Sequence, residues 1–182
     1  MPGSRPTTRQ LLGPDAVAAA VEALALAVLA DHPPGRPLNV VGILTRGETL
    51  AARLRTRLAQ SGADVRRGVL DITLYRDDLT EIGPRPLVRP TELMSEVDGV
   101  PLLLVDDVIH TGRSVRAALE AITDFGRPAA VRLAVLVDRG GRELPIQPDY
   151  VGAALPPVAP HDLVSVRLAE TDGRDAIDAE PR

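Results

Sequence analysis

Residues 102–114 read LLLVDDVIHTGRS. Four apolar residues of strand length lead into two adjacent carboxylates, Asp106 and Asp107. The run then passes through His110, Thr111, Gly112 and Arg113 to Ser114, where a helical pattern begins and continues to Phe125. A strand feeding a polar turn and a helix is the repeating unit of parallel sheets covered by helices, whose ligands sit at the carboxyl ends of the strands. Chemically this turn suits a sugar phosphate. The amides of a helix start, the Thr111 and Ser114 hydroxyls and a glycine permitting close backbone approach can wrap a phosphate dianion. Carboxylates a few residues earlier can reach ribose hydroxyls or hydrated magnesium, which binds through one or two carboxylates plus substrate oxygens. The plain alternative, a strand-to-helix turn with polar caps, leaves the two consecutive acids unexplained.

The same unit recurs on either side. Residues 38–44 (LNVVGIL) form a short apolar run of strand length, followed by Thr45, Arg46 and Gly47 and by a helical stretch over 49–60 carrying Arg53, Arg55 and Arg57. Residues 130–137 (AVRLAVLV) read as another buried strand, followed by a turn at 138–142. Three loops, 45–47, 106–112 and 138–142, therefore fall at strand carboxyl ends and are expected to line one crevice. Before them, Gly13-Pro14-Asp15 opens a helix that runs to Ala30 with Glu22 as its only charge after Asp15, apolar nearly all round and so buried within the domain or against another subunit. Residues 65–75 have strand composition, and 76–90 (RDDLTEIGPRPLVRP), with three prolines and alternating charge, read as a long exposed loop or hairpin of a length that is usually functional or disordered. The stretches DYVGAALPP and LVSVRL suggest short strands forming a hood or an edge. The fold class that follows is α/β, a central, mainly parallel sheet flanked by helices with a small hood. A single domain spans 1–182, with flexible tails expected at 1–10 and 170–182.

Composition removes several chemistries. The 182 residues can bury roughly 70% of their unfolded surface, enough for one core without staples. There is no cysteine, hence no disulfide, thiolate metal site or cysteine nucleophile. All 21 basic residues are arginine, so a Schiff base, a lysine base and a phosphate loop ending in Gly-Lys are unavailable, and the forked guanidinium must supply every cationic contact to phosphate. A net charge of −4 argues against a general nucleic-acid binder. No apolar run reaches the ~20 residues of a membrane span, and the opening MPGSRPTTRQ lacks the apolar centre of a signal peptide, so the expected location is cytoplasmic, with no membrane partner.

The 13-residue stretch as a whole resembles the 5-phosphoribosyl-1-pyrophosphate (PRPP) signature of the type I phosphoribosyltransferases. VGI.TRG, DITLYRDDL, VDDV.HTGRSVRAAL and GRPA..RLAVLVDRG.RELPI..DYVG narrow the resemblance to the PyrR family of pyrimidine operon attenuators that also have uracil phosphoribosyltransferase activity, over about residues 12–168. The resemblance implies the type I phosphoribosyltransferase fold and a glycosyltransferase that makes UMP and pyrophosphate from uracil and PRPP. It also implies Asp106 and Asp107 on the ribose hydroxyls and a Mg2+–PRPP complex, and residues Val108, Ile109, Thr111, Gly112, Arg113 and Ser114 around the 5-phosphate. Thr45, Arg46 and Gly47 would form the pyrophosphate loop. A mobile loop beginning at the catalytic candidate Arg76 would close over PRPP and keep water from an oxocarbenium-like transition state. Arg139 and Val164 would frame the uracil. His110 stands where PyrR proteins commonly have tyrosine, and could stack beside the base or accept its proton.

Family members also assemble into homodimers or larger homo-oligomers, and a UMP-sensing, RNA-binding attenuator with weak enzyme activity is the alternative function; transfer to another base is a third. Regulators of this kind bind pyr messenger RNA through polar and basic residues on the first helix and beyond VDRG. The matching positions here are Glu22, Ala23, Leu26 and Asp31, then Gly141, Gln147 and Ala153, with only Arg142 remaining basic. Weak or no RNA binding is the expectation.

Overall fold

The computed structural model describes residues 7–33, 35–76, 91–92 and 96–181. Its centre is a five-stranded sheet in the order β3-β2-β4-β5-β6, built from β2 (Pro37–Ile43), β3 (Asp64–Leu70), β4 (Leu102–Ile109), β5 (Val131–Asp138) and β6 (Tyr150–Ala153). Every pairing in it is parallel. That arrangement explains the near-continuous apolar runs, because a parallel sheet is covered on both faces. On one face pack α1 (Pro14–Asp31) and α2 (Arg46–Gln60), with Val17, Leu24, Leu50 and Leu54 meeting Val40, Leu103 and Val105. On the other, α3 (Arg113–Thr123) lays Val115, Ala118 and Ile122 against Leu102, Leu104 and Val135.

A second, three-stranded antiparallel sheet in the order β1-β8-β7 forms the hood, from β1 (Arg9–Leu12), β7 (Leu163–Arg167) and β8 (Ala176–Glu180). This corrects the expected tail at 170–182. Residues 169–172 form a one-turn helix, α4 (Ala169–Asp172), and β8 is the middle strand, with Ala176 and Ile177 fully buried. Strand pairing on both sides and apolar contact with Val164, Val166 and Leu168 hold it. Within the expected tail at 1–10, Arg9 and Gln10 likewise pair with Ala179 and Asp178, while 1–6 lie outside the described residues. Of the two stretches expected in the hood or edge, the first supplies edge strand β6 and the second supplies β7.

Two boundaries and one burial pattern differ from expectation. β4 does not stop before the acids but continues through them to Ile109, held by Asp106↔Val135 and Val108↔Val137 pairing with β5. Leu103 and Val105 face the α1–α2 core and Leu104 the α3 core, yet Val108 packs with the former and Ile109 with the latter. The two-residue alternation of a strand therefore slips at Asp106–Asp107. Second, α2 starts at Arg46, so Arg46 and Gly47 are its first turn and not a loop before it. Third, α1 buries only one stripe (Val17, Ala20, Val21, Leu24, Ala25, Val28), while Ala19, Ala23 and Leu26 lie exposed. The expected loop at 76–90 lies outside the described residues except for Arg76.

Candidate active site

Strands β2 and β4 are parallel neighbours, so the helices that follow them begin side by side at the same end of the sheet. α2 starts after Thr45 and α3 after Gly112; neither of these residues caps its helix with a side chain, and the Arg113 N–H of α3 meets the Thr111 hydroxyl oxygen at 3.4 Å. Open N–H groups and the positive end of the helix dipole make each a place for an anion. Gly112 takes φ 91°, a left-handed conformation that swings Arg113 and Ser114 into the first turn of α3 and that a side-chain-bearing residue would adopt only with strain. Thr111 is clasped from outside: its carbonyl accepts the N–H groups of Glu143 and Leu144 at 3.0 and 3.2 Å.

Asp106 and Asp107 lie between these two helix starts. Each carboxylate accepts the next backbone amide, Asp107 N–H at 3.0 Å and Val108 N–H at 2.9 Å, which fixes its orientation. Burial pushes the Asp106 carboxyl well above the usual range, and the neighbouring Asp107 charge adds to the rise. Burial also raises Asp107, partly offset by its hydrogen bonds and by the Arg46 charge. Two acids that repel each other, Asp106 buried and Asp107 half-buried, with the Arg46 charge in the field of Asp107, form a donor set that a divalent cation would relieve. Among the described residues no group of three or more His, Cys, Asp or Glu could hold a metal alone. The pair would suit magnesium carried in with substrate oxygens, which binds through one or two carboxylates. Gly47 packs directly on this pair: a Cβ there would sit 2.6 Å from the Val105 carbonyl oxygen and 3.3 Å from Asp106 Cα.

Beyond the acids, a cavity of about 500 Å³ is lined by Val108, His110, Arg139, Pro160, His161, Asp162, Leu163 and Val164. It joins the end of β4 to the hood and is large enough for a small planar ligand. The Arg139 guanidinium braces its roof, donating to the carbonyls of Ala159, Pro160 and Asp162 at 2.8, 3.0 and 3.3 Å. His110 fits because Gly141, at φ 76°, has no Cβ; one there would come within 2.8 Å of His110 Nε2.

Of the residues singled out in the sequence, Thr45, Arg46, Gly47, Asp106, Asp107, Thr111, Gly112 and Ser114 gather at the two helix starts, and Val108, His110, Arg139 and Val164 at the cavity. The Ile109 side chain turns away into the α3 core at 2% exposure. Arg113 lies on the surface, paired with Glu143 at 2.7 Å. Arg76 is exposed after a short 3-10 turn (Thr73–Tyr75) whose last carbonyl is held by Arg116 of α3, and it is not among the cavity residues. Sequence reading passed over His161, which follows Pro160 with no motif around it, and Asp172, which takes Arg46 in a two-pronged ion pair.

This fold is that of a phosphoribosyltransferase domain. Residues 8–169 match the family described as phosphoribosyl transferase domain. Solved structures agree on the fold: a hypoxanthine phosphoribosyltransferase from Trypanosoma cruzi superposes with a TM-score of 0.70 at 21% identity, covering 96% of this chain and 98% of that one. A hypoxanthine-guanine phosphoribosyltransferase from Bacillus anthracis gives 0.72 at 19% identity, covering 97% of this chain and all of that one. Much nearer in sequence is Bifunctional protein PyrR of Deinococcus radiodurans, 47% identical over 169 residues, 92% of each chain. Bifunctional protein PyrR of Thermus aquaticus is 53% identical over 142 residues, 78% of each. The chain belongs to the PyrR family.

Proposed function

We propose that this protein is a uracil phosphoribosyltransferase, converting uracil and PRPP to UMP and pyrophosphate. The carrying observation is the juxtaposition of a paired-carboxylate, double-helix-start anion site with an open cavity at the end of the same strand. The 5-phosphate of PRPP sits on the amides and hydroxyls of Thr111 to Ser114, and its pyrophosphate on Thr45, Arg46 and Gly47. Asp106 and Asp107 hold the ribose hydroxyls and the magnesium that accompanies PRPP; that ion supplies charge neutralisation to the leaving pyrophosphate. Uracil lies in the cavity over Val108 and against Val164, beside His110. The bond from ribose C1′ to the pyrophosphate oxygen breaks, C1′ bonds to uracil N1, and the N1 proton leaves toward His110 or solvent. Open helix ends aimed at the anions act before the reaction starts, so they need not reorganise in the transition state.

The test is base-dependent release of pyrophosphate from PRPP. Release with uracil and none with guanine or hypoxanthine is expected; purine-dependent release with uracil inert would overturn the uracil assignment.

Attenuation by RNA binding has little support in this chain. α1 carries no basic residue; Ala23 and Leu26 are exposed, and Glu22 is paired with Arg57 of α2 at 2.6 Å. Arg142, the one basic residue left at the matching positions, is only 13% exposed and is spent on Asp138 and on the carbonyls of His110 and Ile146. In a gel shift against the leader RNA of the organism's pyrimidine genes, no shift is expected at micromolar protein with or without UMP. A UMP-dependent shift at nanomolar protein would establish the regulator.

A further inference from the structure

The hood reaches the anion site as well as the cavity. β7 brings Val164 to the cavity at one end, and at the other the chain turns through Leu168 into α4. There the Asp172 carboxylate takes Arg46 side-on, accepting Nε–H at 3.2 Å and Nη2–H at 2.8 Å. Asp172 is itself fixed: it accepts the Leu168 N–H at 3.0 Å, has Arg167 at 3.6 Å, and is 13% exposed. The pair does not stand alone. Further along α2, Arg53 holds Glu170 at 2.6 Å and Asp175 at 2.7 Å, so the segment around α4 is stapled to α2 through two arginines.

An arginine at the first position of a helix ordinarily samples many rotamers, and ordering it on a ligand costs affinity. Here that ordering is already done. The Nε–Nη2 edge belongs to Asp172, and among the described residues the Nη1 end has no hydrogen-bond partner. The guanidinium lies within the field of Asp107, which helps to keep it protonated. Asp172, held down to about 2 by Arg46, remains an anion at any working pH.

We propose that Asp172 is a positioning residue for the diphosphate end of PRPP, holding Arg46 by one edge so that the other meets the pyrophosphate already oriented. The proposal rests on the reading of the crevice as a PRPP site. It is tested by steady-state kinetics on Asp172→Asn, which removes the charge and keeps the shape, together with calorimetric binding of magnesium pyrophosphate. KM for PRPP and the Kd of magnesium pyrophosphate are expected to rise together by about tenfold, the equivalent of about 1.4 kcal/mol. KM for uracil should stay within about twofold, and Asp172→Glu should recover most of the loss. Glu170→Gln removes a neighbouring staple without touching Arg46 and is the control for hood stability; it should leave all three constants within about twofold.

Unchanged or tighter binding of magnesium pyrophosphate in Asp172→Asn would overturn the proposal. So would an equal loss in Glu170→Gln, which would make the effect one of hood packing. A wild-type protein that binds magnesium pyrophosphate but releases none with uracil would sink the uracil reading and leave the calorimetric comparison to decide this one. A wild type that binds none would overturn both.

Discussion

Asp107→Asn is expected to lower turnover by about two to three orders of magnitude, the loss usual when one preorganised electrostatic contact to a reacting centre is removed. The fold should stay intact. The amide keeps the oxygen that accepts the Val108 N–H at 2.9 Å, so the strand end should not move. Its partner makes the sharper test. Asp106 is 8% exposed and its carboxyl is pushed up by burial and then by Asp107, so the folded chain holds this proton more tightly than the unfolded chain does. The sign follows: below the unfolded value the proton is bound in both states and nothing is lost. As pH rises through the raised folded value, the folded state alone must carry a buried, repelled charge, and stability falls. Asp106→Asn removes that charge. Without PRPP the variant should melt about 2–4 °C higher than wild type at neutral pH, the shift of roughly 1 kcal/mol in a chain of this size. The gain should vanish toward pH 4, while turnover collapses as for Asp107→Asn. Thermal melts across pH beside the pyrophosphate-release assay decide it. A variant that keeps near-normal turnover removes the acid pair from the site, and one that melts lower than wild type at neutral pH contradicts the electrostatic account.

The acid pair was legible because everything that makes it a site is local: four apolar residues, two acids and a helix start within 13 residues. The parallel sheet was legible for the same reason, since each strand buried on both faces reads as its own apolar run. The hood was not. TDGRDAIDAEPR carries six charges in 12 residues and looks solvated, yet two of its acids are taken by arginines far along the chain. Asp172 meets Arg46 across 126 positions and Asp175 meets Arg53 across 122. Arg174 covers Asp178, a residue of the middle hood strand that is 1% exposed. Nothing in the local pattern of AIDAE announces a strand whose polar members are neutralised from elsewhere. The same long-range pairing runs through α2: Arg53 and Arg57 tie the helix to the hood and to Glu22 of α1, while Arg55 is held by Glu48. The slip of alternation at Asp106–Asp107 was also invisible, because it depends on which core Val108 and Ile109 enter.

Gly47→Ala is expected to damage activity and stability together, for one geometric reason. Gly47 is in the first turn of α2, pressed against β4 so closely that a Cβ would lie 2.6 Å from the Val105 carbonyl oxygen and 3.4 Å from an Asp106 carboxylate oxygen. The first contact is with backbone at the centre of the sheet, where Val105 is fully buried and cannot step aside. The helix start must therefore move, carrying Arg46 off the line set by Asp172 and opening the gap between the α2 amides and the acid pair. Overpacking of this kind costs about 1–3 kcal/mol of stability. A displacement of even an ångström at a positioned anion site can cost about a hundredfold in rate. The expected result is a folded, less stable chain whose kcat/KM for PRPP falls about a hundredfold, with a smaller change in KM for uracil, because the cavity is lined by the end of β4, Arg139 and the hood and not by α2. Gly62, at φ 82° with open space around its missing Cβ, gives the contrast. Gly62→Ala bears only the backbone strain of a left-handed position, so stability should drop by about 1 kcal/mol while kcat/KM for PRPP holds. If Gly47→Ala kept wild-type kcat/KM for PRPP, the close seating of the α2 start on the acid pair would have no part in holding the pyrophosphate.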